Sequence, residues 1–195
     1  MDNDIITPAI GERAAMGGYL PQYDEFAHFV YSYLINKELE WVSIADPDAE
    51  KLDDIQYSIY TEVHAYQVKW TISDANISYV NFKNLLPLLA SSWQRLKSSN
   101  LNKRVFPHLL TNKSLSTYDK IMAADIKIGS FHDFFFEAWE KIKANQPIDK
   151  KWEPIILELK EISNLEDSEF NAFIDCFDFQ PNYKQKSCGD TERIP

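Results

Sequence analysis

Three residues could do chemistry together: Asp54, Gln67 and Lys69. A carboxylate and an amide carbonyl supply the oxygen ligands that Mg²⁺ prefers while it keeps several waters. A cation held that way lowers the pKa of a bound water and neutralises charge on a scissile phosphate. An ammonium such as that of Lys69 can hold or help deprotonate the attacking water, and it offsets charge in the transition state. The set therefore suits phosphodiester hydrolysis. In Ala65-Tyr66-Gln67-Val68-Lys69-Trp70, strand alternation sends Gln67 and Lys69 to one side and Tyr66, Val68 and Trp70 to the other.

Those side chains need a hairpin to meet. The runs Asp54 to Tyr60 and Glu62 to Trp70 read as two strands joined by a turn. Closure at Tyr60-Thr61, or by a four-residue loop from Ile59 to Glu62, sets Asp54 opposite Gln67 with Cβ atoms roughly 5 Å apart. A three- or five-residue loop shifts the pairing by one and brings in Asp53 instead. Around the hairpin, Phe26, Phe29, Val30, Tyr33 and Leu34 recur with helical spacing, and Gly17-Gly18 and Pro21 predict two helical pieces with a break between them. Glu40 to Ile44 predicts a strand, Tyr79 to Ser98 a helix that Pro87 kinks or starts, and Arg104 to Leu110 a further strand. Three helical segments follow, carrying Phe131 to Ile142, Trp152 to Ile162 and Phe170 to Phe177. The fold class expected is mixed α/β, a sheet core flanked by helices with a helical C-terminal portion. Residues 1–179 would form one domain and 180–195 a polar tail or linker.

Composition sets outer bounds. The chain has 195 residues, 20 Lys+Arg and 30 Asp+Glu, for a net charge of −10. That balance argues against an autonomous, tight, non-specific nucleic-acid binder, but leaves room for an enzyme that meets DNA at one patch. Neither a long apolar run nor a secretory leader is visible, and Cys176 and Cys188 suit neither a zinc site nor a redox motif. A cytoplasmic location without a membrane partner is expected.

Here the sequence resembles a known family: the restriction-endonuclease-like PD-(D/E)xK nucleases, in the variant whose last motif is Gln-x-Lys. It is more narrowly similar to the N-terminal duplex-DNA endonuclease domains of bacterial antiphage effectors, those of CBASS systems and of AVAST proteins in which the nuclease precedes a STAND NTPase. Arg13…Gly18-Tyr19…Gln22-Tyr23, Leu52-Asp53-Asp54-Ile55, Tyr66-Gln67-Val68-Lys69, Ser92-Trp93, Leu110-Thr111-Asn112 and Phe136-Glu137-Ala138-Trp139 carry the likeness. The resemblance implies Asp54 and Gln67 as ligands of Mg²⁺ or Mn²⁺, Lys69 as the catalytic lysine, and Gln22 and Glu25 as helix residues lining the site. Where the family often has a glutamate on the preceding strand, the chain runs Val42-Ser43-Ile44-Ala45-Asp46-Pro47, and Asp46 is the acid at hand to stand in.

The activity implied is metal-dependent hydrolysis of double-stranded DNA with little sequence preference. The partners implied are DNA, further copies of the chain in a homo-oligomer, and a downstream sensor or NTPase domain or partner protein. The rival is a catalytically silent domain of the same fold serving oligomerisation or partner binding; an RNA substrate is a third option. Lys97, Lys103, Arg104 and Lys113 form a basic cluster that would flank a DNA groove or simply be a solvated loop. His64 lies close enough in sequence to approach the site, or else makes a hairpin contact. Phe134, Phe135 and Phe136 cannot all face one side of a helix, so one of them is expected at a subunit contact.

Overall fold

A computed structural model describes residues 9–36, 38–45, 50–71 and 76–184, with the side chains of residues 9–19 and 21 outside that description. The fold is mixed α/β. Five strands, β1 (Leu39–Ile44), β2 (Ile55–Ile59), β3 (Glu62–Lys69), β4 (Arg104–Thr111) and β7 (Asp178–Gln180), form one sheet in the order β1-β2-β3-β4-β7. The first three pair antiparallel, while β4 runs parallel to β3 and β7 parallel to β4. The parallel step from β3 to β4 needs a crossover, and helix α2 (Tyr79–Ser99) supplies it.

Both faces of the sheet are covered, by different elements. On one side, Ile55, Tyr57, Tyr66, Val68 and Leu110 pack with Phe26, Phe29 and Tyr33 of helix α1 (Ala9–Ile35). On the other, Val63, Ala65, Val105 and Leu109 meet α2 through Phe82, Leu86, Leu89 and Trp93. The late helices α5 (Glu153–Ser163) and α6 (Asp167–Cys176) join that larger core through Ile155, Leu159, Phe170 and Phe173. The alternation of Tyr66 and Val68 against Ala65 and Gln67 decides which residues enter which layer.

Helix α1 is one continuous helix of 27 residues, where the sequence predicts two pieces. Pro21 forfeits the backbone bond to the carbonyl of Gly17 and crowds that carbonyl, a cost of about 3 kcal/mol that the anchoring of the helix's second half on the sheet offsets. Pro87 likewise lies inside α2 and does not start it. Ser78 starts it: its hydroxyl accepts from Asn81 N–H, and the Asn81 side chain accepts from Ser78 N–H at 3.2 Å. Buried Leu86, Leu89 and Ala90 flank the proline and hold both of its turns against the core.

The three adjacent phenylalanines are resolved by a change of helical period. Helix α3 (Phe131–Phe134) passes into a π-helical turn at Phe135–Trp139 and then α4 (Glu140–Lys143). The wider turn buries Phe134, Phe135, Ala138 and Trp139, and leaves Phe136 53% exposed. Two features go beyond the sequence reading: the hairpin of β5 (Ile121–Ala123) and β6 (Ile126–Gly129), and strand β7. The packed body therefore continues past residue 179. Gln180 pairs with Leu110, and Tyr183 donates N–H to the carbonyl of Thr111 at 2.9 Å. Residues 185–195 lie outside the described residues.

Phe82, 1% exposed among other aromatic rings, carries a direct test of this core. Phe82→Ala should cost about 3–5 kcal/mol in urea unfolding, whereas Phe136→Ala should change stability by less than about 0.5 kcal/mol.

Candidate active site

The hairpin register sets the site. Ile55 pairs with Tyr66 and Ile59 with Glu62, closing the turn at Tyr60-Thr61. One step further along, the Asp54 side chain meets Gln67 and not its neighbour Asp53. Gln67 Nε2 donates to Asp54 Oδ2, and the backbone N–H of Val68 donates to the same oxygen at 2.6 Å. Gln67 is 4% exposed. Burial pushes the Asp54 carboxyl above its usual range, opposed by the two N–H bonds and by the positive charge of Lys69.

Lys69 follows on the same face at the end of β3, with an exposed side chain. Its backbone is fixed from β4: Thr111 Oγ1 donates to the Lys69 carbonyl at 2.8 Å. Asn112 secures the next residues, its Oδ1 accepting from Thr71 N–H at 3.2 Å and its Nδ2 donating to the Thr71 carbonyl at 2.7 Å. The acid is fixed from α2. Ser92 Oγ accepts from the N–H of Lys51 at 3.1 Å and donates to the Leu88 carbonyl at 2.8 Å, and fully buried Leu52 pins the loop that leads to Asp54. Ser92, Thr111 and Asn112 thus hold the backbone on both sides of the three chemical residues. All three stand in the motifs that carry the resemblance, and their contacts show what each of them holds.

Other expected participants are placed differently. Glu25 is 1% exposed on α1, and its Oε1 accepts from the Tyr183 hydroxyl at 2.8 Å. Tyr183 packs with the α1-facing cluster, so this carboxylate belongs to the layer opposite the one from which Gln67 projects. Its second oxygen, Oε2, is buried without a partner among the described residues. Gln22 is half-buried on the same helix. Asp46 lies outside the described residues. His64 points away from Gln67, into the α1-facing layer, where it bonds His108.

The basic cluster also divides. Lys97, Lys103 and Arg104 share a cavity with Trp93, Asp175 and Cys176, at the start of β4. Lys113 follows the opposite end of that strand, roughly 20 Å away at 3.3 Å per residue. These cations have partners of their own. Lys97 sits in the last turn of α2, Arg104 Nε donates to Cys176 Sγ at the end of α6 at 3.3 Å, and Lys103 bonds Glu40. Two helix C-termini and an acid account for the charge gathered there.

The donor set at Asp54 suits one kind of cation. Its Oδ2 is taken by two N–H groups, which leaves Oδ1 and the Gln67 amide oxygen. Among the described residues no group of three His, Cys, Asp or Glu side chains is placed to hold a metal. One carboxylate oxygen and one amide oxygen match Mg²⁺ or Mn²⁺ retaining most of its waters, and do not match zinc. Among the described residues, no helix is long and apolar enough to cross a membrane. No family model matches the chain, and no curated protein matches it.

The raised Asp54 carboxyl has a thermodynamic consequence of definite sign. The folded protein binds this proton more tightly than the unfolded chain, so Asp54 costs stability as pH rises through the window just above the usual carboxylate range. Asp54→Asn should raise the urea midpoint at neutral pH, and the gain should shrink as the pH is lowered towards that range. An Asn variant less stable than wild type at neutral pH would mean that the bonds to Val68 and Gln67 outweigh the desolvation.

Proposed function

We propose that the chain is a metal-dependent DNA endonuclease domain that hydrolyses phosphodiesters of duplex DNA with little sequence preference, as the effector part of an antiphage defence system. The observation that carries this reading is the direct meeting of Asp54 with Gln67, with Lys69 projecting from the same face one pleat further on.

Asp54 and Gln67 are the residues that would hold Mg²⁺ or Mn²⁺, whose role when bound is to acidify a water and neutralise charge on the phosphate. Val68 N–H and the Gln67 amide hold Oδ2 of the carboxylate in one orientation, which leaves Oδ1 as the oxygen that would meet a cation. Lys69, exposed at the strand end, holds the attacking water and offsets charge on the phosphate as the bond breaks. Thr111 keeps the lysine backbone in place. A donor set with a single charge gives weak cation binding, and a net charge of −10 gives weak DNA binding. Both fit a domain that works when several copies are brought together, because clustering raises the effective concentration of sites. A homo-oligomer, with a sensor downstream or in a partner, belongs to the same proposal. The spare charge of the site, one carboxylate where two are common, favours the silent scaffold as the second reading.

Supercoiled plasmid incubated with Mg²⁺ or Mn²⁺, at protein concentrations high enough to force assembly, separates the two. Wild type should nick and linearise it, EDTA should stop the reaction, and Lys69→Ala should lower the rate by at least about a hundredfold. Asp53→Ala should stay within a few fold of wild type. No cleavage by folded wild type at any concentration would favour the silent scaffold, and cleavage untouched by Lys69→Ala would place the chemistry elsewhere.

A further inference from the structure

On the α1-facing side of the sheet, three strands line up four titratable side chains. His64 Nε2 lies 3.1 Å from Glu62 Oε2, and His64 Nδ1 lies 2.9 Å from His108 Nε2. His108 Nδ1 in turn lies 3.1 Å from Asp178 Oδ2. The row runs carboxylate, imidazole, imidazole, carboxylate across β3, β4 and β7. Its middle is closed off and its ends are wet: the two histidine side chains are 14% and 11% exposed, Glu62 42% and Asp178 34%.

Hydrogen counting shows what this geometry requires. Each of the three contacts needs one hydrogen. Two neutral imidazoles carry one N–H each, and two ionised carboxylates carry none. The observed row is therefore complete only with one proton more. A further proton cannot be added without disruption, because both facing nitrogens would then carry hydrogen across a gap of 2.9 Å. We propose that Glu62, His64, His108 and Asp178 form a proton-binding site that takes up one shared proton as a unit and refuses a second.

The surroundings hold the rings in the orientation on which the count depends. Tyr57 stacks on His64 at 4.9 Å and Phe106 at 5.0 Å, while Tyr66 stacks on His108 at 4.1 Å. A stacked ring cannot turn over without displacing its neighbours. Other titratable or charged groups face the row from each element packed on it. Tyr57 comes from β2, and Tyr66 and Arg104 from β3 and β4; the arginine acts on Glu62. Gln180 on β7 donates to Asp178, on which the charge of Lys143 from α4 also acts. Tyr33 of α1 and Tyr183 act on Tyr66. Both positive groups thus sit at the carboxylate ends, which leaves the shared proton to the imidazoles.

The two ends respond differently. Burial works against charge on Asp178, yet the bonds from His108 and Gln180 hold it below the usual carboxylate range. Glu62 is the more exposed end, so when the shared proton leaves it is Glu62 that turns to water. The opposite limit is set by burial and by the facing charge of His108, which push His64 down to about 4. There the His64–His108 contact breaks. The site is a pH-reading device on the face of the sheet opposite Asp54 and Gln67.

Long-range proton–nitrogen NMR of the imidazole rings tests this in the intact protein, followed from alkaline pH down through about 4. The nitrogens of His64 and His108 should shift together at one inflection worth a single proton, with the second proton entering only near the lower limit. In His64→Gln the shared inflection should be lost. Two independent inflections in the wild-type protein, or joint uptake of two protons well above the lower limit, would overturn the proposal. The wild-type titration decides the matter even if the variant fails to fold.

Discussion

Everything distinctive about this molecule depends on the pairing of β2 with β3. The strands close through Tyr60 and Thr61, with Tyr60 in the left-handed region at φ 47°, a conformation that costs a non-glycine residue about 1 kcal/mol. That cost secures a register in which Asp54 reaches Gln67 and Tyr57 reaches His64. A slip of one residue would turn every side chain to the other face. It would present Asp53 where Asp54 stands, and push Tyr57 into the helix α2 layer, off its stack on His64. The apolar residues on both faces make such a slip prohibitive, because Tyr66 and Val68 belong to one core and Val63 and Ala65 to the other. The chemistry and the core are thus fixed by the same hydrogen-bond ladder.

This explains which parts of the structure were legible in the sequence. Elements with long apolar periodicity, such as α2 or the segment from Glu153 to Ser163, write their position in residue spacing. So does the hairpin, although its register stays ambiguous until the turn length is known. What escapes is of two kinds. Gly17-Gly18, Pro21 and Pro87 read locally as breaks, but a helix anchored on a sheet tolerates one lost backbone bond. Strands β5, β6 and β7 are three or four residues long, too short for alternation to register. Long-range polar contacts leave no local trace either. Ser92 holds Lys51 across 41 residues and His64 meets His108 across 44, and neither residue type is unusual where it stands.

The distribution of charge follows the same architecture. A chain with ten more acids than bases places three of its cations around one cavity, at the C-terminal ends of α2 and α6, where backbone carbonyls point outward. They are spent on the fold. Lys69, by contrast, projects from a strand end into solvent, with its backbone held by Thr111. Position within the fold, not abundance, separates a cation that serves structure from one left exposed to solvent.

The bond between Tyr183 and Glu25 spans 158 residues, the length of nearly the whole chain. During synthesis α1 emerges ahead of the whole sheet, carrying a carboxylate that is almost wholly enclosed in the finished molecule, while the hydroxyl that satisfies it is made among the last residues described. Loop-closure entropy for so distant a pair is paid late, after the sheet between them exists. Until then Glu25 keeps its water and α1 has only part of its seat. Helix α1 is therefore made long before the residue that seals it, and a chain cut short ahead of Tyr183 would leave that helix unlatched.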